Sequence, residues 1–259
     1  MIKIIVDKPY EGSMNMALDI SIAKLSAIRK ISTLRIYQWK VPTLSLGKHQ
    51  KTGNLNWKFI KSNNISVVRR PSGGRAVLHN NEITYSFSTF ISNENLPNNL
   101  LASYLKISQA LIRSLHELGI EADLESSKKE GLTKDLCYDA PSFYEVKVNG
   151  KKLIGSAQYR TATFILQHGS IPIKHDYETY INSFKYSHTD WIKRHLISST
   201  IDLETILKKP ISKMEIARAF EIGFKSVFKE EISEGVLEQE EIILAQKMKN
   251  NFNVLEEMN

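Results

Sequence analysis

The chain has 259 residues, 42% of them hydrophobic, with a formal net charge of +7 and a single cysteine. This length is sufficient for one large domain with a real core. The lone cysteine excludes an internal disulfide framework and a zinc site built from several thiolates. Only short apolar runs occur, and the first ten residues carry neither a long apolar stretch nor a small-residue cleavage site, so we expect a soluble cytoplasmic protein without a membrane span.

The charge is unevenly distributed. Residues 230–259 contain eight glutamates and two lysines, a formal charge of −6. Because the whole chain has a net charge of +7, residues 1–229 carry +13. A basic body of this kind favours acidic partners, either nucleic acid or an acidic protein. A solvated, lysine-rich surface without a partner explains the charge equally well.

Strands and helices alternate along the first part of the chain. Apolar residues at helical spacing after Ser13 predict a helix with that serine as its cap, and a short helix is expected behind Asn54. The predicted strands cover residues 2–6, 33–39, 43–46 and 65–70, and the predicted helices cover residues 14–28 and 55–63.

The second part continues this alternation, which indicates an α/β or α+β layer architecture. The dipeptide Asn149-Gly150 predicts a hairpin between residues 143–148 and 151–158. Ser212 and Glu215 predict a capping box at the start of a long helix. The other predicted elements are strands over 82–90 and 164–173, a helix over 100–118 stopped by Gly119, and a final acidic helix over 237–249.

Several common catalytic motifs are missing. The sequence has no GxGxxG, no GxxxxGK[ST], no HExxH and no GxSxG. Dinucleotide-binding, nucleoside triphosphatase, zinc protease and serine hydrolase functions therefore lack their usual support.

The stretch RRPSGGRAVLH (69–79) combines glycines with positive charge. Ser72, Gly73 and Gly74 allow the backbone to approach a ligand closely, while three arginines orient negative charge. An ordinary glycine turn with surface arginines fits the same residues. The arginines are Arg69, Arg70 and Arg75.

The strand after the hairpin turn has a polar face. Strict alternation places Lys152, Ile154, Ser156 and Gln158 on one face, and Leu153, Gly155 and Ala157 on the other. The second face suits a core. The first either lines a cleft or is solvated.

The lone cysteine, Cys137, follows a polar segment over residues 125–135 and precedes YDAPS. Most lone cysteines are inert and buried, but this exposed context also suits a nucleophile. His79 and His168 are candidate bases or polar binding groups, although isolated histidines are usually structural. Spacing typical of metal ligands is absent, so no metal site is expected.

Together these stretches resemble the biotin and lipoate protein ligase superfamily. Its signature usually has an arginine pair, a small hydroxyl residue, two or three glycines, a valine and a histidine, as in RRPSGGRAVLHNNEITYS (69–86). The resemblance covers residues 1–225 and is closest to the cysteine-dependent octanoyltransferases of Gram-positive type. The other matching stretches are MNMALD, PTLSLG, CYDAPSFYEV, GKKLIGSAQ and ILQHGSI, in that order.

The resemblance implies an α+β fold, with a mixed β-sheet flanked by helices. It implies an acyltransferase catalytic domain over residues 1–229, and we expect the acidic helical extension over 230–259 to pack on the same domain. The implied reaction moves an octanoyl group from acyl carrier protein, through a cysteine thioester, to the specific lysine of a lipoyl domain. The implied acceptors are lipoyl domains of dehydrogenase acyltransferase subunits or the glycine cleavage H protein, with no cofactor, nucleic acid or membrane.

The same resemblance assigns site residues. The nucleophile falls on Cys137 and the superfamily's invariant lysine on Lys152. The family often has Glu where this chain has Ile20 and Asp where it has Asn80. The implied substrate-binding residues are Arg70, Ser72, Gly73, Gly74, Arg75, His79, Ser156, Gln158, His168 and Gly169.

Three alternatives remain open at this point. One is an ATP-dependent lipoate ligase, which would use ATP and free lipoate. Another is an amidotransferase that takes octanoyl from the glycine cleavage H protein. The third is a basic nucleic-acid-binding protein, which the sequence disfavours because it has no helix-turn-helix extension and no aromatic-interleaved basic stripe.

Overall fold

The computed structural model describes residues 1–126 and 144–256. In these ranges the strands are β1 (Ile2–Val6), β2 (Ser32–Tyr37), β3 (Thr43–Leu46), β4 (Ser66–Arg69), β5 (Val77–His79), β6 (Glu82–Phe90), β7 (Asp123–Ser126), β8 (Tyr144–Val148), β9 (Lys151–Arg160), β10 (Phe164–Pro172) and β11 (Ile232–Glu234). The helices are α1 (Gly12–Arg29), α2 (Trp57–Ser62), α3 (Leu100–Glu117), α4 (Tyr177–Asn182), α5 (Thr189–Ser199), α6 (Leu203–Leu207), α7 (Lys213–Phe228) and α8 (Gln239–Met248), followed by a 3-10 turn over Lys249–Phe252.

Two sheets organise the described residues. The large sheet has the strand order β11-β1-β2-β6-β10-β9-β8-β7. In it β1 is parallel to both of its neighbours, whereas the pairs from β2 to β7 are antiparallel. The small sheet has the order β4-β3-β5, with β3 parallel to β4 and antiparallel to β5. The predicted α+β class with a mixed sheet and flanking helices is confirmed.

Helices cover both faces of the large sheet. On one face, here called the α3–α7 face, the phenylalanines of α7 pack on the sheet: Phe87 of β6 lies 5.3 Å from Phe224 and 5.0 Å from Phe228, measured between ring centroids. On the opposite face, here called the α1 face, Ile20 and Ala23 of α1 pack with Phe164 and Leu166 of β10. Within the described ranges, no helix has the length and apolar character needed to cross a membrane.

Most local predictions are confirmed, but the predicted cap of the first helix is wrong. The helix α1 begins at Gly12 rather than after Ser13. A Cβ at Gly12 would lie 2.7 Å from Thr43 Cγ2, so the start of this helix packs tightly against the small sheet. The short helix expected behind Asn54 is α2, which is capped by Asn56, whose side chain accepts from the Phe59 N–H.

A β-bulge in β9 overturns the predicted strand faces. Val146 of β8 pairs with Ile154, whereas the next residue, Lys147, pairs with Lys152, so β9 has one extra residue at Leu153. Leu153 and Ile154 are both buried. Directly paired residues share a face of the sheet, and the consecutive residues Val146 and Lys147 lie on different faces. Lys152 and Ile154 therefore lie on different faces of the sheet, and Lys152 shares its face with Gly155 and Ala157. The prediction that Lys152, Ile154, Ser156 and Gln158 share a face is therefore wrong.

The acidic C-terminal segment contacts the rest of the fold. The strand β11 joins the large sheet beside β1, and α8 packs against α1 through Ala17, Leu18 and Ala245. Lys3 pairs with Glu241 at 3.0 Å, and Arg29 pairs with Glu240 at 2.6 Å. Glutamates of the acidic segment therefore form ion pairs with Lys3 and Arg29 where the two parts pack together.

Candidate functional site

The glycine loop, residues 70–76, connects β4 to β5 and is braced from inside by Arg70. The buried Arg70 guanidinium donates to Gly73 O at 2.8 Å, to Arg75 O at 2.6 Å and to Ser45 O at 2.9 Å. Burial lowers the pKa of Arg70 to about 10, so the side chain is still charged at neutral pH. The Arg70 guanidinium is thus engaged by main-chain carbonyls, and these hydrogen bonds set the shape of the loop.

The loop also packs tightly on the turn after β3. A Cβ on Gly47 would lie 1.9 Å from Gly74 O, closer than any real contact. Gly74 itself has a φ of +96°, which favours glycine. Lys48 N donates to Ser72 O at 2.9 Å, and Arg69 donates to Gly47 O at 3.0 Å. Glycine at position 47 is therefore needed for the observed loop position.

A buried polar network connects the glycine loop to α1. Ser72 Oγ lies 2.6 Å from His168 Nε2, and His168 Nδ1 lies 3.7 Å from Asp19 Oδ2. Asp19 accepts from Arg35 at 2.9 Å and from Tyr37 at 2.8 Å. All five side chains are at most 5% exposed. The network joins the glycine loop, β10, α1 and β2 on the α1 face.

Burial and charge act in opposite directions in this network. Burial raises the pKa of Asp19, but the contact with the His168 imidazole and the charge of Arg35 outweigh it and leave the pKa lowered. Burial lowers the pKa of His168 despite the nearby carboxylate. The balance favours an ionised Asp19 beside a neutral imidazole near neutral pH.

Sequence reasoning missed Asp19 and Arg35. The available signal was a charged residue inside an apolar stretch, namely the aspartate that ends MNMALD and the arginine in TLRIY. A charge that is buried among apolar neighbours needs a partner. The two residues belong to different elements, α1 and β2, so the pairing itself could not be read from the local pattern.

His79 belongs to a second network, on the small sheet. Its Nε2 lies 2.8 Å from Ser45 Oγ, and its Nδ1 lies 2.9 Å from Glu82 Oε1. The ring stacks on Trp39 with centroids 4.0 Å apart. His79 is 7% exposed, so these contacts hold it at the end of β5. Ser45 also accepts from Arg70 through its carbonyl, which connects this network to the glycine loop.

Lys152 lies on the α1 face and pairs with Glu145 of β8. The distance from Lys152 Nζ to Glu145 Oε1 is 2.5 Å, with side chains 36% and 17% exposed. Further along the same face of β9, Ala157 pairs directly with His168 of β10. The structure therefore brings Lys152, His168 and, through Ser72, the glycine loop to one face of the sheet.

The other predicted residues of β9 and β10 are directed to the α3–α7 face. Ser156 Oγ lies 2.8 Å from the Tyr85 hydroxyl, and Gln158 Nε2 donates to Gln167 Oε1 at 3.1 Å. A Cβ on Gly169 would lie 2.6 Å from Tyr85 Cε1. Ser156, Gln158 and Gly169 thus belong to a polar chain on the opposite side of the sheet from Lys152. Their role in binding substrate stays a prediction.

The remaining predicted site residues are Arg75 and Cys137. Arg75 lies near Tyr180, where burial raises the tyrosine pKa and the charges of Arg75 and Arg70 oppose that rise. Cys137 lies outside the described residues, so its role as nucleophile stays a prediction. Among the described residues there is no cluster of three or more histidine, cysteine, aspartate or glutamate side chains suited to a metal ion.

Fold and sequence define the class of this protein. Residues 11–225 match the family model of the lipoyl protein ligase A/B catalytic domain, and the chain belongs to that family. Solved structures with the same fold include a bi-partite lipoate protein ligase from Thermoplasma acidophilum, studied with its E2 lipoyl domain, with a TM-score of 0.80 at 18% identity over 96% of this chain and 91% of that chain. A lipoate-protein ligase A bound with ATP has a TM-score of 0.78 at 18% identity, over 96% and 94%.

Curated relatives narrow the class to an acyltransferase. The octanoyltransferase LipM of Exiguobacterium sp. is 40% identical over 225 residues, which are 83% of this chain and 82% of the relative. The octanoyltransferase LipM of Brevibacillus brevis is 33% identical over 268 residues, which are 98% and 97% of the two chains. The chain is therefore an acyltransferase of this family, similar to these octanoyltransferases.

Proposed function

We propose that this acyltransferase moves an octanoyl group from acyl carrier protein to the specific lysine of a lipoyl domain, through a thioester on Cys137. The observation that carries the proposal is the 40% identity to an octanoyltransferase over most of both chains. The position of Lys152 on the face that also carries His168 supports it. The acceptors are lipoyl domains of dehydrogenase acyltransferase subunits or the glycine cleavage H protein, and the enzyme acts in the cytoplasm.

The chemistry has two steps and consumes no ATP. In the first step the Cys137 thiolate attacks the carbonyl carbon of the octanoyl thioester. A new C–S bond forms, the donor C–S bond breaks, and the carrier leaves as a thiolate that takes up a proton. In the second step the acceptor lysine amine attacks the same carbon, the C–N bond forms, and the C–S bond to Cys137 breaks. The amine proton passes to the departing sulfur, and the enzyme needs no cofactor.

Lys152 and the glycine loop supply the electrostatics. The Lys152 ammonium stabilises the Cys137 thiolate and the negative charge that develops on the carbonyl oxygen. Since Arg70 donates to the carbonyls of Gly73 and Arg75, these acceptors are turned inward. The glycine N–H groups are then the loop's donors best suited to an acyl carbonyl.

The charge distribution supports acidic protein partners. The formal net charge is +7 although residues 230–259 are acidic. Lys3, Arg29, Lys61 and Lys225 are paired with this acidic segment. The net positive charge of the rest of the chain favours acidic partners through electrostatic steering. Binding of carrier and lipoyl domains should therefore weaken as ionic strength rises.

Intact mass spectrometry of the full chain tests the proposal. After incubation with octanoyl acyl carrier protein, the wild type should gain one octanoyl group, and Cys137→Ser should gain none. An adduct that survives Cys137→Ser contradicts the thioester mechanism. Octanoyl acyl carrier protein, octanoyl H protein and free lipoate plus ATP are then each tested against lipoyl domains. Full activity of Cys137→Ala with lipoate and ATP would instead identify an ATP-dependent ligase.

A further inference from the structure

The backbone of Lys152 is held from two sides. On one side it pairs with Lys147 of β8 just beyond the bulge. On the other, Lys152 O accepts from Ile201 N at 3.0 Å, and Lys152 forms an isolated parallel bridge with Thr200. The start of the side chain is therefore fixed, and what remains to be set is the position of the ammonium at its end.

Glu145 lies where it can set that position. Its carboxylate oxygen is 2.5 Å from Lys152 Nζ, and it is the more buried member of the pair, at 17% exposure against 36%. A charge-assisted hydrogen bond of this length is stronger than a neutral one and restricts the rotamers of a long side chain. Glu145 therefore selects one of the many conformations that a half-exposed lysine would otherwise sample.

Gly155 provides the space into which the lysine side chain folds. A Cβ on Gly155 would lie 3.1 Å from Lys152 Cε and 3.5 Å from Lys152 Nζ. The end of the lysine thus lies directly over the glycine backbone. A side chain at position 155 would press on Lys152 Cε and require the end of the lysine to shift.

A neighbouring ion pair shows that the pairing is specific. Lys147 lies directly opposite Lys152, and like charges directly opposite each other are unfavourable. Lys147 pairs with Glu125 of β7 at 3.2 Å. Lys147 is thus paired with Glu125 and Lys152 with Glu145, so the two lysines do not share a carboxylate.

We infer that Glu145 is a positioning residue for acyl transfer, which holds the Lys152 ammonium over Gly155 on the α1 face. The inference rests on the proposed function, because it takes Lys152 as the charge that stabilises the reacting groups. Glu145 acts through Lys152 and does not contact the substrate. The ion pair with Glu145 explains how the ammonium of Lys152 keeps one position although the side chain is partly exposed.

Kinetics of the full chain test the inference. Glu145→Gln should lower the rate constant for octanoyl-enzyme formation by about tenfold, the loss expected for one charge-assisted hydrogen bond, with KM for the donor changed by no more than about twofold. Glu145→Asp keeps the carboxylate and should recover part of the rate. The matched control is Glu125→Gln, which breaks the neighbouring ion pair and should leave the rate unchanged.

A second variant separates position from charge. Gly155→Ala keeps both charges but shifts the end of the lysine side chain slightly, so it should lower the rate constant by less than Glu145→Gln does. In a Lys152→Ala background, Glu145→Gln should cause no further loss, because residues that act through one another are not additive. Thermal unfolding of every variant identifies a loss that comes only from instability.

Three kinetic results would overturn the inference: a wild-type rate in Glu145→Gln, an additive loss in the Lys152→Ala background, or an equal loss in Glu125→Gln. A crystal structure of Glu145→Gln provides a readout independent of activity, since the ammonium should leave its place over Gly155. An unchanged lysine there refutes positioning even if the wild type proves inactive. Absence of any octanoyl adduct on wild type would instead contradict the proposed function.

Discussion

Replacing Gly47 with alanine should displace the glycine loop and impair acyl-enzyme formation. The new Cβ would lie 1.9 Å from Gly74 O, whereas carbon and oxygen atoms in contact are normally about 3.3 Å apart. The loop must therefore move by more than about 1 Å. A displacement of that size in a reacting site can cost about a hundredfold in rate.

The assay is the rate of octanoyl adduct formation by quenched-flow mass spectrometry, with thermal unfolding measured in parallel. Gly53→Ala is the matched control, because a Cβ there meets no atom within 4 Å. We expect Gly47→Ala to react about a hundredfold more slowly than Gly53→Ala at a temperature where both are folded. Equal rates in the two variants would refute the view that the loop must occupy its observed position.

Three further predictions concern stability. Asp19→Asn should lower the unfolding free energy in urea by about 1.5–3 kcal/mol, because it removes one carboxylate partner of the buried Arg35 guanidinium and leaves Asp7 as the other. Glu11→Gln, at an exposed ion pair with Lys40, should lose at most about 1 kcal/mol; equal losses would contradict this. Since the folded-state pKa of Asp19 and that of His168 are both lowered, their stabilisation is present near neutral pH. The stabilisation from neutral His168 should be lost as pH falls below about 6.5, and that from ionised Asp19 should be lost below about 4. An unfolding free energy that stays constant from pH 7.5 to 3 would disprove this prediction. Gly223→Ala puts a Cβ 2.2 Å from Ser114 Oγ, which should separate α3 from α7 and lower the melting temperature in calorimetry; an unchanged melting temperature would rule this packing out.

Features with local causes could be predicted from the sequence. The hairpin at Asn149-Gly150 forms because both residues adopt positive φ, and the capping box at Ser212 forms because its partner Glu215 is three residues away. Strands β1 and β3 follow the predicted bounds for the same reason, since short apolar runs are local signals.

The composition of the site was less predictable. Alternation assumes that every residue of a strand has a partner, so the extra residue at Leu153 reversed the predicted face of Lys152. The partners of Asp19 come from other elements, and no local pattern encodes a pairing between α1 and β2. Arg70 illustrates a third limit, because a guanidinium suited to anions is here engaged by carbonyls of its own loop.

The bulge at Leu153 also affects how this scaffold can diverge. One residue more or less in β9 would move Lys152 to the α3–α7 face, toward the polar chain that contains Ser156 and Tyr85. A single-codon insertion or deletion is therefore a short evolutionary route that transfers the lysine charge from one side of the sheet to the other. When hairpins of related proteins are aligned, a gap of one residue near this position should accordingly be treated as a change of reactive surface rather than as a neutral difference in length.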